Sequence, residues 1–137
     1  MRKIIVTGSA GFIGFSLSLK LLQCGENVIG IDNHNNYYDP KLKEERLKRL
    51  IKYSNYKHFK IDLVNQKKLE EIFKDYKPQI VVNLAAQAGV RYSIENPKDY
   101  IENNIDAFLN ILEFSKNKKI KHLLYASSSS VYGTNKK

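Results

Sequence analysis

Lys3-Ile4-Ile5-Val6-Thr7-Gly8-Ser9-Ala10-Gly11-Phe12-Ile13-Gly14 decides the fold of this chain. Ile4 to Val6 is a short apolar, β-branched run, the pattern of a strand buried on both faces. A G-x-x-G-x-x-G turn follows, and a helical pattern starts at Phe12. Each glycine has a separate task. Gly8 lets the chain turn sharply off the strand. Gly11 has no side chain, so a pyrophosphate can approach the backbone. Gly14 lets the helix pack closely on the strand. The free N–H groups and positive dipole end of the helix then favour phosphate. The spacing differs by one residue from G-x-G-x-x-G, but the strand–turn–helix context is present. Asp32 ends the next apolar run, 18 residues after Gly14.

The rest of the chain repeats this strand–helix alternation. Phe12 to Gln23 carries Phe12, Ile13, Leu17, Leu21 and Leu22 at helical spacing, with Gly25 as its cap. Asn27 to Ile31 is the second strand. Asp32 follows it, where a carboxylate accepts hydrogen bonds from the adenosine ribose and repels a 2′-phosphate, which favours NAD over NADP. Asp39-Pro40 starts a helix that runs to about Tyr53, with Leu47, Leu50 and Ile51 inward. Lys57 to Ile61 is the third strand, and Asn65 to Tyr76 the third helix. Gln79 to Leu84 is the fourth strand. A loop, Gln87 to Glu95, carries Gly89 and Arg91. Asn96-Pro97 opens a helix to about Asn117, with Ile101, Ile105, Phe108 and Leu112 on its inner face and Asn104 in line with them. Ile120 to Tyr125 is the fifth strand, and it runs into Ser127 to Ser130 and Val131-Tyr132-Gly133.

This order predicts an α/β fold: a doubly wound, parallel, Rossmann-type sheet with strand order 3-2-1-4-5, cut off after strand 5. Residues 1–137 read as one incomplete NAD-binding domain without a substrate domain. The ligand crevice belongs at the carboxyl ends of strands 1 and 4, where the order reverses.

Composition bounds the rest. The chain is 42% hydrophobic and 27% charged, ordinary for a soluble globular protein. No apolar run approaches the roughly 20 residues that span a bilayer, and the first strand leaves no room for a signal peptide. Cys24 is the sole cysteine, reads as a structural thiol, and suits the cytoplasm. No metal-ligand spacing occurs. The net charge of +9 comes largely from lysines scattered over helices, notably Lys41 to Lys52 and Lys116 to Lys121. They read as solvated faces rather than a nucleic-acid surface. An acidic partner, or an acidic further half of the same protein, is the second reading.

These residues together carry a resemblance. Thr7 to Gly14, Ile31-Asp32-Asn33, Asp62-Leu63, Asn83-Leu84-Ala85-Ala86-Gln87-Ala88-Gly89-Val90-Arg91 and Ser127 to Gly133 resemble the extended short-chain dehydrogenase/reductase family, within it the nucleotide-sugar epimerases. The similarity runs through the whole chain and matches somewhat under half of a full-length member. The resemblance implies NAD as cofactor and a UDP-sugar as substrate. It also implies a homodimer for the full-length form. Gly8, Gly11 and Gly14, with Phe12 and Ile13, would hold the pyrophosphate. Asp32, with Asn33 beside it, would hold the adenosine ribose, and Asp62 and Leu63 would flank the adenine. Ala85 and Ala86 would line the nicotinamide side, and Asn104 would steady the cofactor. Ser128 matches the family's catalytic Ser/Thr, and Arg91 would meet an acidic substrate or form a surface ion pair. Asn83 stands where the family often carries histidine.

In such epimerases the C4 hydroxyl loses its proton while the C4 hydride moves to NAD. The 4-keto sugar turns over and takes the hydride back on its other face. A tyrosine of a Tyr-x-x-x-Lys motif on the next helix is the base. Tyr132 and Lys136 show that spacing, but so do Tyr37/Lys41, Tyr53/Lys57 and Tyr56/Lys60, so the pair reads as coincidence. Ser128-Ser129-Ser130 replaces the Thr-Asp-Glu of related dehydratases, whose acids serve water elimination, so epimerisation is the expected reaction. The alternatives are another nucleotide-sugar epimerase or dehydratase, and a non-catalytic NAD-binding or interaction module.

Overall fold

The computed structural model describes residues 1–134. Five strands form one parallel sheet in the order β3-β2-β1-β4-β5, as the alternation predicts. They are β1 (Lys3–Thr7), β2 (Asn27–Asp32), β3 (Tyr56–Lys60), β4 (Ile80–Asn83) and β5 (His122–Tyr125). Ile5 of β1 pairs with Ile29 of β2 on one side and Val81 of β4 on the other. β1 is therefore central, and its side chains alternate between two covered faces.

Among the described residues there are six α-helices, α1 (Phe12–Gln23), α2 (Pro40–Leu50), α3 (Gln66–Tyr76), α4 (Val90–Glu95), α5 (Pro97–Ile101) and α6 (Ala107–Asn117), of which α1, α2, α3 and α6 pack on the sheet. Ile4, Val6 and Val28 pack beneath Phe15 and Leu22 of α1 and Leu50 of α2. Ile5, Ile29, Ile31 and Val81 pack beneath Leu69, Ile72 and Phe73 of α3 and Ala107 and Ile111 of α6. Helices thus lie on both faces, the doubly wound arrangement. Asp39 caps α2 by accepting from the Lys41 N–H at 3.0 Å, and Asn65 caps α3 by accepting from Lys68 at 3.1 Å. Among the described residues no helix is long and apolar enough to cross a membrane.

Three helix readings need correction. In α1 the buried residues are Gly14, Phe15, Ser18 and Leu22, while Phe12 and Ile13 are 76% and 64% exposed. Small residues face the sheet because the helix lies close to it. In α2, Ile51 lies just past the last turn and is exposed; the inner positions include Lys43 and Leu50. Lys43 therefore departs from the solvated-face reading of its helix.

The third correction concerns the helix expected from Pro97 to Asn117. It is interrupted by a π-helical turn, Glu102–Asp106, and a separate short helix, α4, occupies the segment read as loop. The Asn103 side-chain amide donates to the Asp99 carbonyl at 2.7 Å, the acceptor that an α-helical bond from the Asn103 N–H would use. Past this turn the buried face is Ala107, Asn110, Ile111 and Ser115. Ile101, Ile105 and Leu112 point to solvent instead. Cys24, the C-cap residue of α1, is exposed rather than packed.

Candidate functional site

The Thr7 hydroxyl shapes the sheet's switch point. It donates to Asn83 Oδ1 at 2.7 Å and accepts from the N–H groups of Leu84 and Ala85, both at 3.1 Å. One donor and two lone pairs are all used, in a buried position. β1 and β4 are thereby tied at their carboxyl ends, and the chain beyond each is thrown to opposite sides. Asn83 is the acceptor that completes this tie.

The glycine turn fills the gap between them. Gly8 adopts φ +66°, and a side chain there would meet the Ala85 backbone nitrogen at 3.0 Å. A Cβ on Gly14 would lie 2.1 Å from the Gly8 carbonyl oxygen. The first turn of α1 therefore rests directly on the strand exit. Its N-cap, Gly11, offers no capping side chain. The N–H groups of Phe12, Ile13 and Gly14 open the helix and have no acceptor within it. An uncapped helix start at the mouth of a crevice is chemically suited to an anion.

A crevice runs from this turn along the sheet's carboxyl edge. Gly8 and Gly11 form its middle, Asp32, Asn33, Asp62 and Leu63 one end, and Ala85 and Ala86 the other. These eight residues singled out from the sequence come together. The others do not line it. Phe12 and Ile13 offer backbone only, their side chains pointing to solvent. Gly14 serves as packing beneath the turn. Asn104 grips the backbone of Gln87 from both sides, accepting from its N–H at 2.8 Å and donating to its carbonyl at 2.9 Å. Arg91 is exposed on α4. Ser128 caps the 3-10 turn Ser129–Tyr132, accepting from the Ser130 N–H at 3.1 Å. Tyr132 is exposed in that turn, and Lys136 lies outside the described residues.

Sequence reading missed Lys43, Asn35, Tyr37, Tyr38 and Asn103, all of which line the crevice. Lys43 had a signal: it precedes Leu47 by four residues and Leu50 by seven, on the inward stripe of α2. Its ammonium lies 3.1 Å from Asp32 Oδ1, with both side chains buried. The same Asp32 oxygen accepts from the His34 N–H at 2.8 Å, and Oδ2 accepts from the Ala10 N–H at 3.1 Å. The tyrosines form a clasp. Tyr37 packs edge-on against Tyr92, with ring centroids 5.0 Å apart, and Tyr92 donates to Asp99 at 2.7 Å. The loop after β2 and the segment after β4 thus meet across the crevice.

Behind Asp32 lies a pair of histidines. His34 Nε2 and His58 Nε2 are 2.9 Å apart, so one donates to the other. Tyr56 Oη lies 3.2 Å from His58 Nδ1. Burial pushes the Tyr56 hydroxyl up to about 12. Burial first, and then the charge of His34, pushes His58 down to about 4; burial lowers His34 as well. Asp32 opposes these shifts, and Lys60 reinforces both. The unfolded chain therefore binds a proton at His58 that the folded chain refuses between its ordinary 6.5 and about 4. Stability is fully present above that window and declines as pH falls through it. Urea midpoints measured from pH 7 to pH 4 are expected to fall, and more steeply than in His58→Gln. Parallel profiles would contradict this account.

Fold, turn and crevice define a class. Residues 4–137 match the model of the NAD dependent epimerase/dehydratase family, and the chain belongs to that family. Among its relatives is Protein CapI of Staphylococcus aureus, 56% identical over 97% of this chain and 40% of the relative. Another is the UDP-glucuronate 4-epimerase of Thermodesulfobacterium geofontis, 47% identical over 96% of this chain and 41% of the relative. The crystal structure of a UDP-glucuronic acid 4-epimerase from Bacillus cereus, in complex with UDP-glucuronic acid and NAD, superposes with a TM-score of 0.87 at 34% identity. That likeness covers 98% of this chain and 43% of that one. The chain spans about 40% of the length of the curated relatives it matches.

Proposed function

We propose that residues 1–137 are the NAD-binding part of a UDP-sugar 4-epimerase of the UDP-glucuronate/UDP-galacturonate type, with the sugar held by a further part of the protein. The observation that carries this reading is the crevice itself. An uncapped helix start, a glycine turn with no room for a Cβ, and a buried acid at the end of β2 lie along one groove. The donor set fits a dinucleotide: N–H groups for the pyrophosphate, Asp32 for the adenosine ribose, and the small side chains of Ala85 and Ala86 for a flat ring. Bound there, NAD would supply a reversible hydride acceptor for sugar C4. The chain's own residues bind and orient it, and Ser128 is assigned the hydrogen bond to the C4 oxygen. Arg91, on a solvent-facing helix, is assigned the substrate's acidic group.

Asp32 makes the reading testable. Its carboxylate is buried beside the groove, where a 2′-phosphate would face like charge. Calorimetric titration of the purified chain is expected to give NADH binding tighter than NADPH by about tenfold or more. Equal or tighter NADPH binding would overturn the assignment of Asp32.

A non-catalytic NAD-binding module is the second reading. It is favoured by the exposure of Tyr132, the tyrosine at Tyr-x-x-x-Lys spacing that follows Ser128 in the chain. Epimerisation by the intact protein decides between the two.

A further inference from the structure

Lys43 is a buried lysine that the reading above does not use. Its side chain is 7% exposed and lines the crevice beside Asp32 and Asn33. It spends one N–H on Asp32 Oδ1 at 3.1 Å and one on Asn35 Oδ1 at 3.0 Å. The Tyr38 ring lies over it, 5.3 Å from the ammonium. An ammonium has three donors, so one remains. Asp32 is nearly saturated in turn. Of its roughly four acceptor positions, three are taken by His34, Ala10 and Lys43. The site thus keeps one acceptor position, on Asp32 Oδ2, and one donor, on the ammonium that pairs with Oδ1.

That pairing matches a vicinal diol, which can donate from one hydroxyl and accept at the other. Resting on the NAD-binding reading above, the geometry points to Lys43 as a second ligand of the adenosine ribose. Asp32 receives one ribose hydroxyl, and Lys43 donates to the other. The ammonium also offsets the charge of Asp32, so it governs how strictly a 2′-phosphate is refused. Selectivity for NAD over NADP is then a property of the pair, with the carboxylate repelling the phosphate and the ammonium attracting it.

The test uses Lys43→Met, which keeps much of the apolar stem, in the 137-residue chain. NADH and NADPH are titrated by fluorescence, with circular dichroism as the fold control. Loss of a charge-assisted hydrogen bond is expected to weaken NADH about tenfold or more. NADPH is expected to weaken further, because the phosphate loses its cation, so the preference for NADH widens. A lysine that merely holds Asp32 in place would give the opposite: Asp32 shifts, NADH suffers most, and the preference narrows. A narrowed or unchanged preference overturns the proposal. Should Lys43→Met not fold, Lys43→Gln, which removes the charge but keeps a side-chain donor, is the second variant. Its preference for NADH is likewise expected to widen, because the phosphate loses its cation; a preference left unchanged or narrowed overturns the proposal equally. An unsubstituted chain that binds neither cofactor overturns the NAD-binding reading and this proposal together. One that binds NADH normally, with variants of unaltered preference, overturns this proposal alone.

Discussion

Gly14→Ala is expected to abolish cofactor binding and to destabilise the fold by about 3 kcal/mol or more. The added Cβ would sit 2.1 Å from the Gly8 carbonyl oxygen, 2.7 Å from its carbon and 3.1 Å from Ser9 Cα. All three are backbone atoms, so no side chain can swing away. Relief requires α1 to lift off the strand exit, which pulls Phe15 and Leu22 from the cluster they share with Ile4, Val6 and Val28. It also moves the helix start away from the crevice. For a domain whose whole stability is typically about 5–15 kcal/mol, such a loss is large. Gly11→Ala is the control. Its Cβ would crowd the Gly8 oxygen at 3.0 Å and only touch its carbon at 4.0 Å, a contact a shift of a few tenths of an ångström relieves. It is expected to keep most stability while crowding the phosphate approach. Urea midpoints and NADH titrations of both variants check the contrast. An unchanged midpoint in Gly14→Ala would refute the account.

The second large effect is on turnover. A polypeptide confined to residues 1–137, supplied with NAD and UDP-glucuronate, is expected to give at least about 10⁴-fold less 4-epimerised product than a complete UDP-sugar 4-epimerase. Ser128 can hydrogen-bond a sugar oxygen, but a hydroxyl is too weak a base to take a proton unaided. Tyr132 is 77% exposed. A general base is worth roughly 10²–10⁴ in rate, and orientation of the sugar adds further. Chromatographic separation of the two UDP-uronic acids after long incubation is the measurement. Activity near that of a complete enzyme would sink the argument, and would make Tyr132 and Lys136 the catalytic pair. Tyr132→Phe then tests that directly.

The strands were legible because parallel strands buried on both faces carry unbroken apolar runs, as Ile4 to Val6 and Ile80 to Val82 do. The groove's backbone and acid were legible too, since Gly8, Gly11 and Asp32 sit at offsets set by the turn geometry. Helix faces were legible in α3, whose Leu69, Ile72 and Phe73 recur at i, i+3 and i+4 and are buried, but not in α1 or α6. Periodicity weighs large apolar residues, whereas close helix–sheet packing selects small ones such as Gly14, Ser18 and Ala107. The apolar series Ile101, Ile105 and Leu112 marks an outward surface instead. The π turn could not be foreseen, because it depends on one amide, that of Asn103, reaching a carbonyl. Lys43 was hidden by composition: in a helix this rich in lysine, one inward lysine does not stand out. Asn104 was read as steadying the cofactor; in the fold its side chain holds the backbone N–H and carbonyl of Gln87.

That grip has a thermodynamic consequence. Both backbone polar groups of Gln87 are engaged by one side chain from a different segment, so this stretch of groove wall is rigid before any ligand arrives. Ordering a residue's backbone typically costs about 1–2 kcal/mol, and here the cost is met during folding. A ligand docking against this wall therefore spends little of its affinity on freezing the host, and heat released on binding reports the contacts themselves.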